Sequence, residues 1–401
     1  MRNSEYEIRS TGTVTHAQAR AVIHCDMDNY YAAVEEKYNP ALRGVPFAVC
    51  GDPKMRHSIV MSKNYLAKKA GVMTGISFRQ ARKICPKLGY VQADLGKYLE
   101  QTKQARAIYY KYTDDVIPYG MDEAWLDMGE MSLREAEQIA ELIRVETRYT
   151  MGLSASLGVS DNLIFSKIGS DYKKPNSITV ITRDNYKEIV WPMPASTLLF
   201  IGNQRKKLLQ SVGITTIGDI ANADPDFLEK LLGKSGYDIH RYSNGDDRTF
   251  VPNSEEIGSI GNTITPPADL RTKEDVSAVL YLLATTVCAR LRKHNLQATC
   301  IAVHLRDSEF NKTTRQCSFK MATDSVNYVF NRAYDLFQRH YPWERPLRSI
   351  GIRADNLDSM GQMTLDPNEE PPLAMDIDRR IKELTDRIGP LEVEKGGVLR
   401  V

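Results

Sequence analysis

Apolar and polar positions recur along this chain with two different periods, and together they predict strands that alternate with helices. From residue 153 to residue 159 apolar and small polar residues alternate, which predicts a strand with one buried side. Residues 133–143 instead carry apolar side chains three and four positions apart, which predicts a helix with one face in the core. Ser132 and Glu135 form a capping-box pattern at its start, because each side chain can satisfy a free backbone amide.

The order of elements in the first half is typical of a split βαβ sheet. A strand over 20–25 leads into a helix, a hairpin spans 116–127 and turns at Gly120-Met121, and the capped helix and the strand at 153–159 follow. The first strand and the hairpin are then neighbours at the centre of the sheet, so residues at their ends meet.

Between these strands, residues 45–95 mix short apolar runs with two basic helices, at 64–70 and 78–84, enough for a small lobe of its own. A longer amphipathic helix is predicted over 97–114.

The second half predicts two further modules, so the chain as a whole is predicted to be α/β (α+β). Residues 190–250 are helical, and a helix that opens at 200–203 ends at Val212-Gly213 before a second helix. This pattern fits a helix-hairpin-helix, whose turn offers backbone amides to a phosphate, and it also fits a plain pair of antiparallel helices. After a polar linker comes a compact α/β module, with helices at 272–294 and 325–338 and strands at 299–305, 313–319 and 349–354.

Length and composition narrow the class of protein. A chain of 401 residues exceeds one ordinary core and predicts two to four domains. No apolar run approaches the roughly 20 residues that span a bilayer, and residues 1–19 lack the apolar core of a signal peptide. The six cysteines show neither C-x-x-C spacing nor a paired framework, so we expect reduced, mostly buried thiols in a cytosolic protein without a membrane partner.

The net charge of +2 says little, but its distribution is uneven. Residues 260–353 carry fourteen Lys and Arg against eight Asp and Glu, whereas residues 354–401 carry eleven acidic residues against six basic ones. A basic module followed by an acidic tail is typical of a protein whose basic module binds a polyanion and whose acidic tail is repelled by that polyanion. Ordinary scatter of surface charge is the alternative.

Two acidic clusters stand where hydrophobic strands end. Asp26 and Asp28 follow the apolar run 21–25, and Asp122-Glu123 precede the run 124–126 in the hairpin. Adjacent carboxylates raise each other's pKa, and a cation between them relieves the repulsion. Such hard oxygen ligands suit Mg²⁺, and two ions about 4 Å apart are the usual machinery of nucleotidyl transfer. A solvated turn is the alternative for paired acids in isolation.

The residues that carry these patterns resemble Y-family translesion DNA polymerases over roughly residues 20–357. The resemblance rests on motifs in the family's order and spacing, namely HCDMDNYYAAVE at 24–35, NYLAKKAGV at 64–72, MDEAWLD at 121–127, KPN at 174–176, ITTIGD at 214–219, SIGN at 259–262 and LRDSEF at 305–310.

The resemblance implies a right-hand polymerase with a ferredoxin-like palm. Its domains are an N-terminal extension at 1–19, the palm at 20–31 and 95–185, fingers at 32–94, a thumb with the helix-hairpin-helix at 186–250, a linker at 251–258, a little finger at 259–357 and a C-terminal tail at 358–401. It also implies a lesion-bypass enzyme, monomeric, cytoplasmic and nucleoid-associated, that adds dNTPs to primer-template DNA with low fidelity and without proofreading.

The resemblance assigns the metal-binding and catalytic roles. Asp26 and Asp122 are expected to bridge two Mg²⁺ ions, for which Mn²⁺ can substitute. Glu123 is expected to hold the ion at the primer 3′-hydroxyl, and the Met27 carbonyl completes the nucleotide-side ion. Asp28 need not ligate, and Asp127 is expected to be a structural hydrogen-bonding residue.

The implied nucleotide site contains a steric gate. Tyr31 falls five residues after Asp26, at the gate position, where its ring excludes a ribose 2′-hydroxyl; a half-buried core tyrosine is the alternative. The other implied nucleotide-binding residues are Tyr30, Ser62, Tyr65, Lys68 and Lys174.

Three positions depart from the family pattern. Lys68 stands where arginine is usual, and lysine keeps the charge but loses the bidentate fork, so we expect weaker alignment of the triphosphate. Gly120 stands where serine is common, and Phe200 replaces the first glycine of the hairpin motif, which puts the thumb's phosphate contact in question.

The implied macromolecular contacts involve the duplex and a sliding clamp. Gly202, Gly213, Arg306, Arg315 and Arg332 are the implied DNA-binding residues, whose phosphate contacts carry affinity without sequence choice. The segment Gln362–Asp366 resembles the peptide by which bacterial polymerases grip the clamp, although Asp366 stands where an aromatic residue belongs.

Two other functions are compatible with parts of this pattern. A catalytically silent DNA-binding or clamp-recruiting scaffold of the same fold is one, and the three strand-end carboxylates argue against it. A nucleotidyl cyclase is the other, because it can share the palm topology and the paired acids, but the fingers, thumb and basic module argue against it.

Overall fold

The structure, a computed structural model, describes residues 20–52, 58–248 and 257–359, and these residues fall into two units. The first unit holds residues 20–52 and 58–248, and the second holds residues 257–359. The N-terminal extension, the clamp-like segment at 362–366 and the rest of the tail lie outside the described residues. In the part that the structure describes, no helix combines the length and apolar character needed to cross a bilayer.

The first unit contains two sheets and the helices around them. Its strands are β1 (Arg20–Met27), β2 (Phe47–Cys50), β3 (Val60–Lys63), β4 (Gly89–Gln92), β5 (Val116–Tyr119), β6 (Glu123–Glu130), β7 (Ala155–Ser160) and β8 (Ile178–Ile181). Its helices are α1 (Tyr30–Tyr38), α2 (Tyr65–Lys69), α3 (Phe78–Ile84), α4 (Leu95–Tyr109), α5 (Leu133–Glu146), α6 (Leu163–Tyr172), α7 (Tyr186–Ile189), α8 (Asn203–Ser211), α9 (Ile217–Asn222), α10 (Pro225–Leu232) and α11 (Ser235–Ser243).

The five-stranded sheet has the order β5-β6-β1-β7-β8 and organises the first unit. Strand β1 pairs antiparallel with both β6 and β7, and β7 pairs parallel with β8. The predicted adjacency of the first strand and the hairpin is therefore confirmed. A separate sheet, β3-β2-β4, forms the small lobe with α2 and α3, whose predicted positions are also confirmed.

Two expectations about this sheet need correction. Helix α4 ends at Tyr109 rather than at 114. All six residues of β7 are buried, not one side only, because β7 lies inside the sheet and both α5 and α6 pack on it. The capping box of Ser132 and Glu135 is confirmed, with both reciprocal hydrogen bonds present.

Helix α6 packs unusually close to β7 through two glycines. A Cβ at Gly158 would lie 1.8 Å from the Ser166 carbonyl oxygen, and a Cβ at Gly169 would lie 3.0 Å from Gly158 Cα. The backbone of the helix therefore rests directly on the strand, which fixes the side chains that α6 presents at the end of the sheet.

The second unit is a four-stranded sheet covered on one face by two helices. Its elements are β9 (Ser259–Ile264), α12 (Lys273–Lys293), β10 (Leu296–Asp307), β11 (Lys312–Thr323), α13 (Val326–His340) and β12 (Leu347–Ser359), and the sheet order is β11-β10-β12-β9. Sequence patterning did not predict β9, since only Ile260, Asn262 and Ile264 of this short strand are buried.

We predict that Gly158→Ala lowers the free energy of unfolding of the full chain by at least about 3 kcal/mol, the upper end of overpacking costs, because the new methyl group meets helix backbone. Urea unfolding followed by circular dichroism measures this change. The matched control is Gly96→Ala, in the first turn of α4, where a Cβ would lie 3.4 Å from Asp94 Oδ1. That variant should stay within about 1 kcal/mol of the parent. Equal stabilities of the two variants would contradict the packing described here.

Candidate active site

The two acidic clusters meet at one end of the five-stranded sheet. In the β1–β6 ladder Asp26 lies directly opposite Glu123. The next rung continues beyond the paired residues, because the Met27 amide donates to the Asp122 carbonyl oxygen at 3.0 Å. Asp26 is 5% exposed, so its carboxylate is almost removed from water.

Two lysines from the α6 region neutralise these carboxylates. Lys174 Nζ lies 2.5 Å from Asp26 Oδ2 and 2.9 Å from Asp171 Oδ1. Lys167 forms an ion pair with Glu123. Positions 167, 171 and 174 are four and three residues apart, so they share one side of α6 and its extension, a spacing from which the sequence could have revealed Lys167.

Burial and crowding perturb the three acids in opposite directions. Burial raises the pKa of Asp26 to about 7, and the nearby Glu123 adds to the rise against the opposing effect of Lys174. Burial likewise raises the pKa of Asp122, with Glu123 adding to it. Burial also acts to raise the pKa of Glu123, but contacts with His24 and Lys167 outweigh it and lower that pKa to about 2.

The donor chemistry of this cluster fits a hard divalent cation that arrives with its substrate. Within residues 20–52, 58–248 and 257–359, no three His, Cys, Asp or Glu side chains form a preformed metal cage. Mg²⁺ is normally bound by one or two carboxylates together with substrate phosphates, so a preformed cage is not required. Burial, with Glu123 adding to it, raises the pKa of Asp26 and of Asp122, and a bound cation would favour the ionised form of both carboxylates.

A buried polar network behind Glu123 was not predicted from the sequence. His24 is fully buried, and its Nδ1 lies 2.8 Å from Ser170 Oγ. The Ser170 hydroxyl also donates to the Lys167 carbonyl oxygen at 2.8 Å. On the other side of the ring, His24 Nε2 lies 3.3 Å from Glu123 Oε2. Burial lowers the pKa of His24 to about 4.

Asp28 has a structural role, which agrees with its omission from the predicted ligands. Its Oδ1 accepts from Ser156 Oγ and its Oδ2 accepts from the Asn176 amide, each at 2.8 Å. Asp28 is 2% exposed. It therefore ties the end of β1 to β7 and to the loop that carries Lys174.

The two tyrosines at the start of α1 have different environments. Tyr31 is half-buried, its ring stacks on Tyr98 with centroids 4.6 Å apart, and its hydroxyl donates to Met121 Sδ at 3.5 Å. Burial raises the pKa of Tyr31, and the nearby Asp122 adds to the rise. Tyr30 is 3% exposed, and its hydroxyl donates to the Tyr98 carbonyl at 2.6 Å. The side chain of Tyr30 thus belongs to the core, and only its backbone remains available to a nucleotide.

The predicted phosphate-binding residues of the small lobe lie on β3 and α2. Ser62 is on β3, and Tyr65 and Lys68 are exposed on α2, with Lys68 Nζ 5.7 Å from the centre of the Tyr65 ring. Burial raises the pKa of the Tyr65 hydroxyl to about 12, and the charges of Asp28, Lys174 and Asp26 act on it as well. The structure therefore brings Tyr65 to the same site as Lys174.

The hairpin motif of the predicted thumb has the expected turn. Gly213 adopts a φ of +81° between α8 and α9, and Gly202 is the N-cap of α8 without a side-chain cap. Phe200 adopts a φ of +68°, a conformation that favours glycine. The positive φ explains why glycine is usual at this position. In this chain a phenylalanine adopts the same backbone conformation.

The predicted DNA-binding arginines of the second unit lie on two different faces. Arg306 pairs with Lys312 in the β10–β11 ladder, on the sheet face opposite the core residues Val303 and Leu305. Arg315 pairs with Val303, on the helix-covered face, although its own side chain is exposed. Arg332 is exposed on α13, on that same side. The structure therefore does not bring these three arginines together.

Comparison with known proteins places the whole chain in one family. The profile of the impB/mucB/samB family matches residues 25–171, and that of the impB/mucB/samB family C-terminal domain matches residues 258–366. The chain is similar to DNA polymerase IV of Acetivibrio thermocellus, with 38% identity over 95% of this chain and 98% of that protein. It is also similar to DNA polymerase IV of Bacillus velezensis, with 30% identity over 96% of this chain and 94% of the other.

A solved structure shows the same fold. A Y-family DNA polymerase chimera superimposes with a TM-score of 0.76 and 24% sequence identity, covering 85% of this chain and all of the chimera. The predicted α/β right-hand architecture is therefore confirmed at the level of the fold.

We predict that Asp28→Ala lowers the free energy of unfolding by about 2–3 kcal/mol, because the Asn176 amide and the Ser156 hydroxyl lose a buried, charged acceptor. Urea unfolding monitored by tryptophan fluorescence gives the value. The matched control is Asp127→Ala, which removes a partly exposed carboxylate that pairs with Arg20 and accepts from the Gly129 amide. Its cost should stay below about 1 kcal/mol. A loss for Asp28→Ala no larger than that of the control would contradict the structural role of Asp28.

Proposed function

This chain belongs to the impB/mucB/samB family, the Y-family DNA polymerases, and we propose that it is a template-directed DNA polymerase of the lesion-bypass class. The observation that carries the proposal is the pairing of β1 with β6, which sets Asp26 opposite Glu123 and beside Asp122. The enzyme adds dNTPs to a primer 3′ end with low fidelity and without proofreading. Its substrates are primer-template DNA and dNTPs.

We assign the metal ligands to the strand-end oxygens. Asp26, Asp122, Glu123 and the Met27 carbonyl would hold two Mg²⁺ ions, or Mn²⁺ in their place, with Glu123 serving the primer hydroxyl and Met27 the nucleotide. When bound, such a pair activates the primer hydroxyl and neutralises charge on the transferred phosphoryl group. Lys167 and His24 contact the carboxylate of Glu123 from behind, and Ser170 contacts the ring of His24.

The chain's own residues hold the triphosphate. Helix α1 begins at Tyr30 with no side-chain cap and no acidic residue in its first turn, so its free amides suit phosphate oxygens. Tyr65, Lys68 and Lys174 add donors and positive charge around them, and Ser62 adds a hydroxyl. The primer 3′-oxygen forms a bond to the α-phosphorus, the bond from that phosphorus to the bridging oxygen breaks, and pyrophosphate leaves with the electron pair. The hydroxyl proton passes to water.

We assign the selection of deoxyribose over ribose to Tyr31. The ring of Tyr31 is held by stacking on Tyr98 and by its contact with Met121, close to Asp122. A fixed ring there excludes a 2′-hydroxyl by steric conflict.

We divide the chain as the family suggests, with the palm at 20–31 and 95–185, fingers at 32–94, thumb at 186–250 and little finger at 259–357. For the duplex, the sheet face that carries Arg306 and Lys312 is the preferred contact surface of the second unit, since helices cover the other face. Arg315 and Arg332 then contact the duplex from the side of the module rather than from that face. In the thumb, Gly202 and Gly213 offer backbone amides to phosphates. The clamp contact through Gln362–Asp366, the monomeric state and the cytoplasmic, nucleoid-associated location rest on the sequence alone.

We predict that Asp122→Asn reduces primer extension with Mg²⁺ by about a hundredfold to a thousandfold, because a bridging carboxylate is lost while the shape of the side chain is kept. Single-nucleotide extension of a labelled primer, with and without Mg²⁺, measures this loss. Asp127→Asn, in the same hairpin, should retain near-parental activity. Extension that persists in Asp122→Asn would refute the proposed site, and a chain with no activity at all would favour the silent scaffold.

We predict that Tyr31→Ala increases ribonucleotide incorporation relative to deoxyribonucleotide incorporation by about tenfold to a hundredfold, the scale of a steric clash worth about 1–3 kcal/mol. Parallel primer-extension assays with matched rNTP and dNTP give the ratio. Tyr31→Phe keeps the ring and should keep the selection. If Tyr31→Ala left the ratio of ribonucleotide to deoxyribonucleotide incorporation unchanged, Tyr31 would not be the steric gate.

A further inference from the structure

A polar cleft of about 330 Å³ lies beside the nucleotide site in the first unit. Asp28, Asn29 and Tyr65 line the side that borders the predicted triphosphate-binding residues. Arg43, from the loop after α1, and Arg148, from the π-helical turn Thr147–Met151, line it from two separate segments. Ligand pockets span about 300–1,000 Å³, so this cleft suits a small ion rather than a whole nucleotide.

The basic side chains of the cleft are not used by the fold. In the part of the chain that the structure describes, neither guanidinium group of Arg43 or Arg148 has a hydrogen bond or an ion pair, and both residues are exposed. A third cation, Lys37, donates to Gln101 Oε1 at 2.6 Å, a neutral partner. Two arginines held near one concavity without carboxylate partners leave a positive site for an anion.

The acidic residues of the cleft are already engaged. Asp28 accepts from Ser156 and Asn176, and Glu36 Oε1 accepts from Asn64 Nδ2 at 3.2 Å. Asn29 also lines the cleft, and its Nδ2 is shielded from water and finds no acceptor among the residues that the structure describes. An anion in the cleft would supply that acceptor, and it would lie near the uncapped start of α1.

We propose that this cleft is a pyrophosphate subsite that receives the leaving group of the polymerase reaction, with Arg43 and Arg148 as its anion-binding residues. The inference rests on the proposed polymerase function. The cleft shares Tyr65 with the predicted triphosphate site, and its lining residue Asn29 directly precedes Tyr30 at the start of α1. The β- and γ-phosphates therefore need only move a short way outward after the α–β bond breaks. The incoming triphosphate offers the same chemistry, and the experiment below separates the two sources.

The test compares a double variant, Arg43→Ala/Arg148→Ala, with a charge-matched control. Arg79→Ala/Arg134→Ala removes two exposed arginines, on α3 and α5, that do not line the cleft. Steady-state primer extension with added inorganic pyrophosphate gives the product-inhibition constant, and the same assay without it gives KM for the dNTP. In the cleft variant the inhibition constant should rise about tenfold, the sum of two partly exposed charge contacts, while KM changes less than twofold. Arg43→Lys/Arg148→Lys should restore much of the inhibition.

A second measurement is independent of catalysis. Calorimetric titration of inorganic pyrophosphate into the full chain without DNA should show binding that the cleft variant weakens and the control pair retains. That result with an inactive polymerase would refute the proposed function and leave an anion site. An unchanged inhibition constant, equal losses in the control pair, or a parallel rise in KM would overturn the proposal, the last by assigning the arginines to the incoming triphosphate.

Discussion

The pairing register of β1 with β6 is the constraint on which the candidate site depends. A shift by one residue would move Asp26 from the face of Glu123 to the opposite face of the sheet, because side chains alternate along a strand. The register is secured by burial on both sides, since residues from Ala21 to Met27 of β1 are buried. The buried hydrophobic residues of β1 thus fix the positions of the acidic side chains, although they do not neutralise their charge.

Helix α6 supplies the complement to those charges. Its backbone rests on β7 at Gly158, so the helix has little freedom to rotate or withdraw. Lys167, Ser170 and Asp171 are thereby presented to the acidic end of the sheet, and Lys174 follows just beyond the helix. The charge balance of the site therefore depends on the close contact between the two glycines. A larger residue at position 158 would displace α6, and the lysines would move with it.

Much of this arrangement could be predicted from the sequence, and the parts that could not have physical reasons. The strand-end acids, the capping box at Ser132 and the hairpin turn are local patterns whose meaning does not depend on distant residues. The full burial of β7 was not predictable, since alternation indicates a half-covered strand and says nothing of a second helix. His24 and Ser170 are 146 residues apart, and no local pattern signals their contact. The separation of Arg306 from Arg315 required the register of β10 with β11, which charge counting ignores.

The ion pairs of Lys167 with Glu123 and of Lys174 with Asp26 balance the charge of the buried acids. Asp26 is buried and its pKa is raised, so a carboxylate there is tolerated only beside a cation, and Lys174 fills that role in this structure. In the proposed function, the metal ions would take the place of Lys174 beside Asp26, and phosphate oxygens would take the place of Asp26 beside Lys174. Under that proposal Lys174 would exchange Asp26 for a phosphate oxygen without either group passing through an unpaired buried state, which would be costly. The same lysine would therefore stabilise the buried carboxylate of Asp26 in one state of the site and the phosphate oxygens in the other.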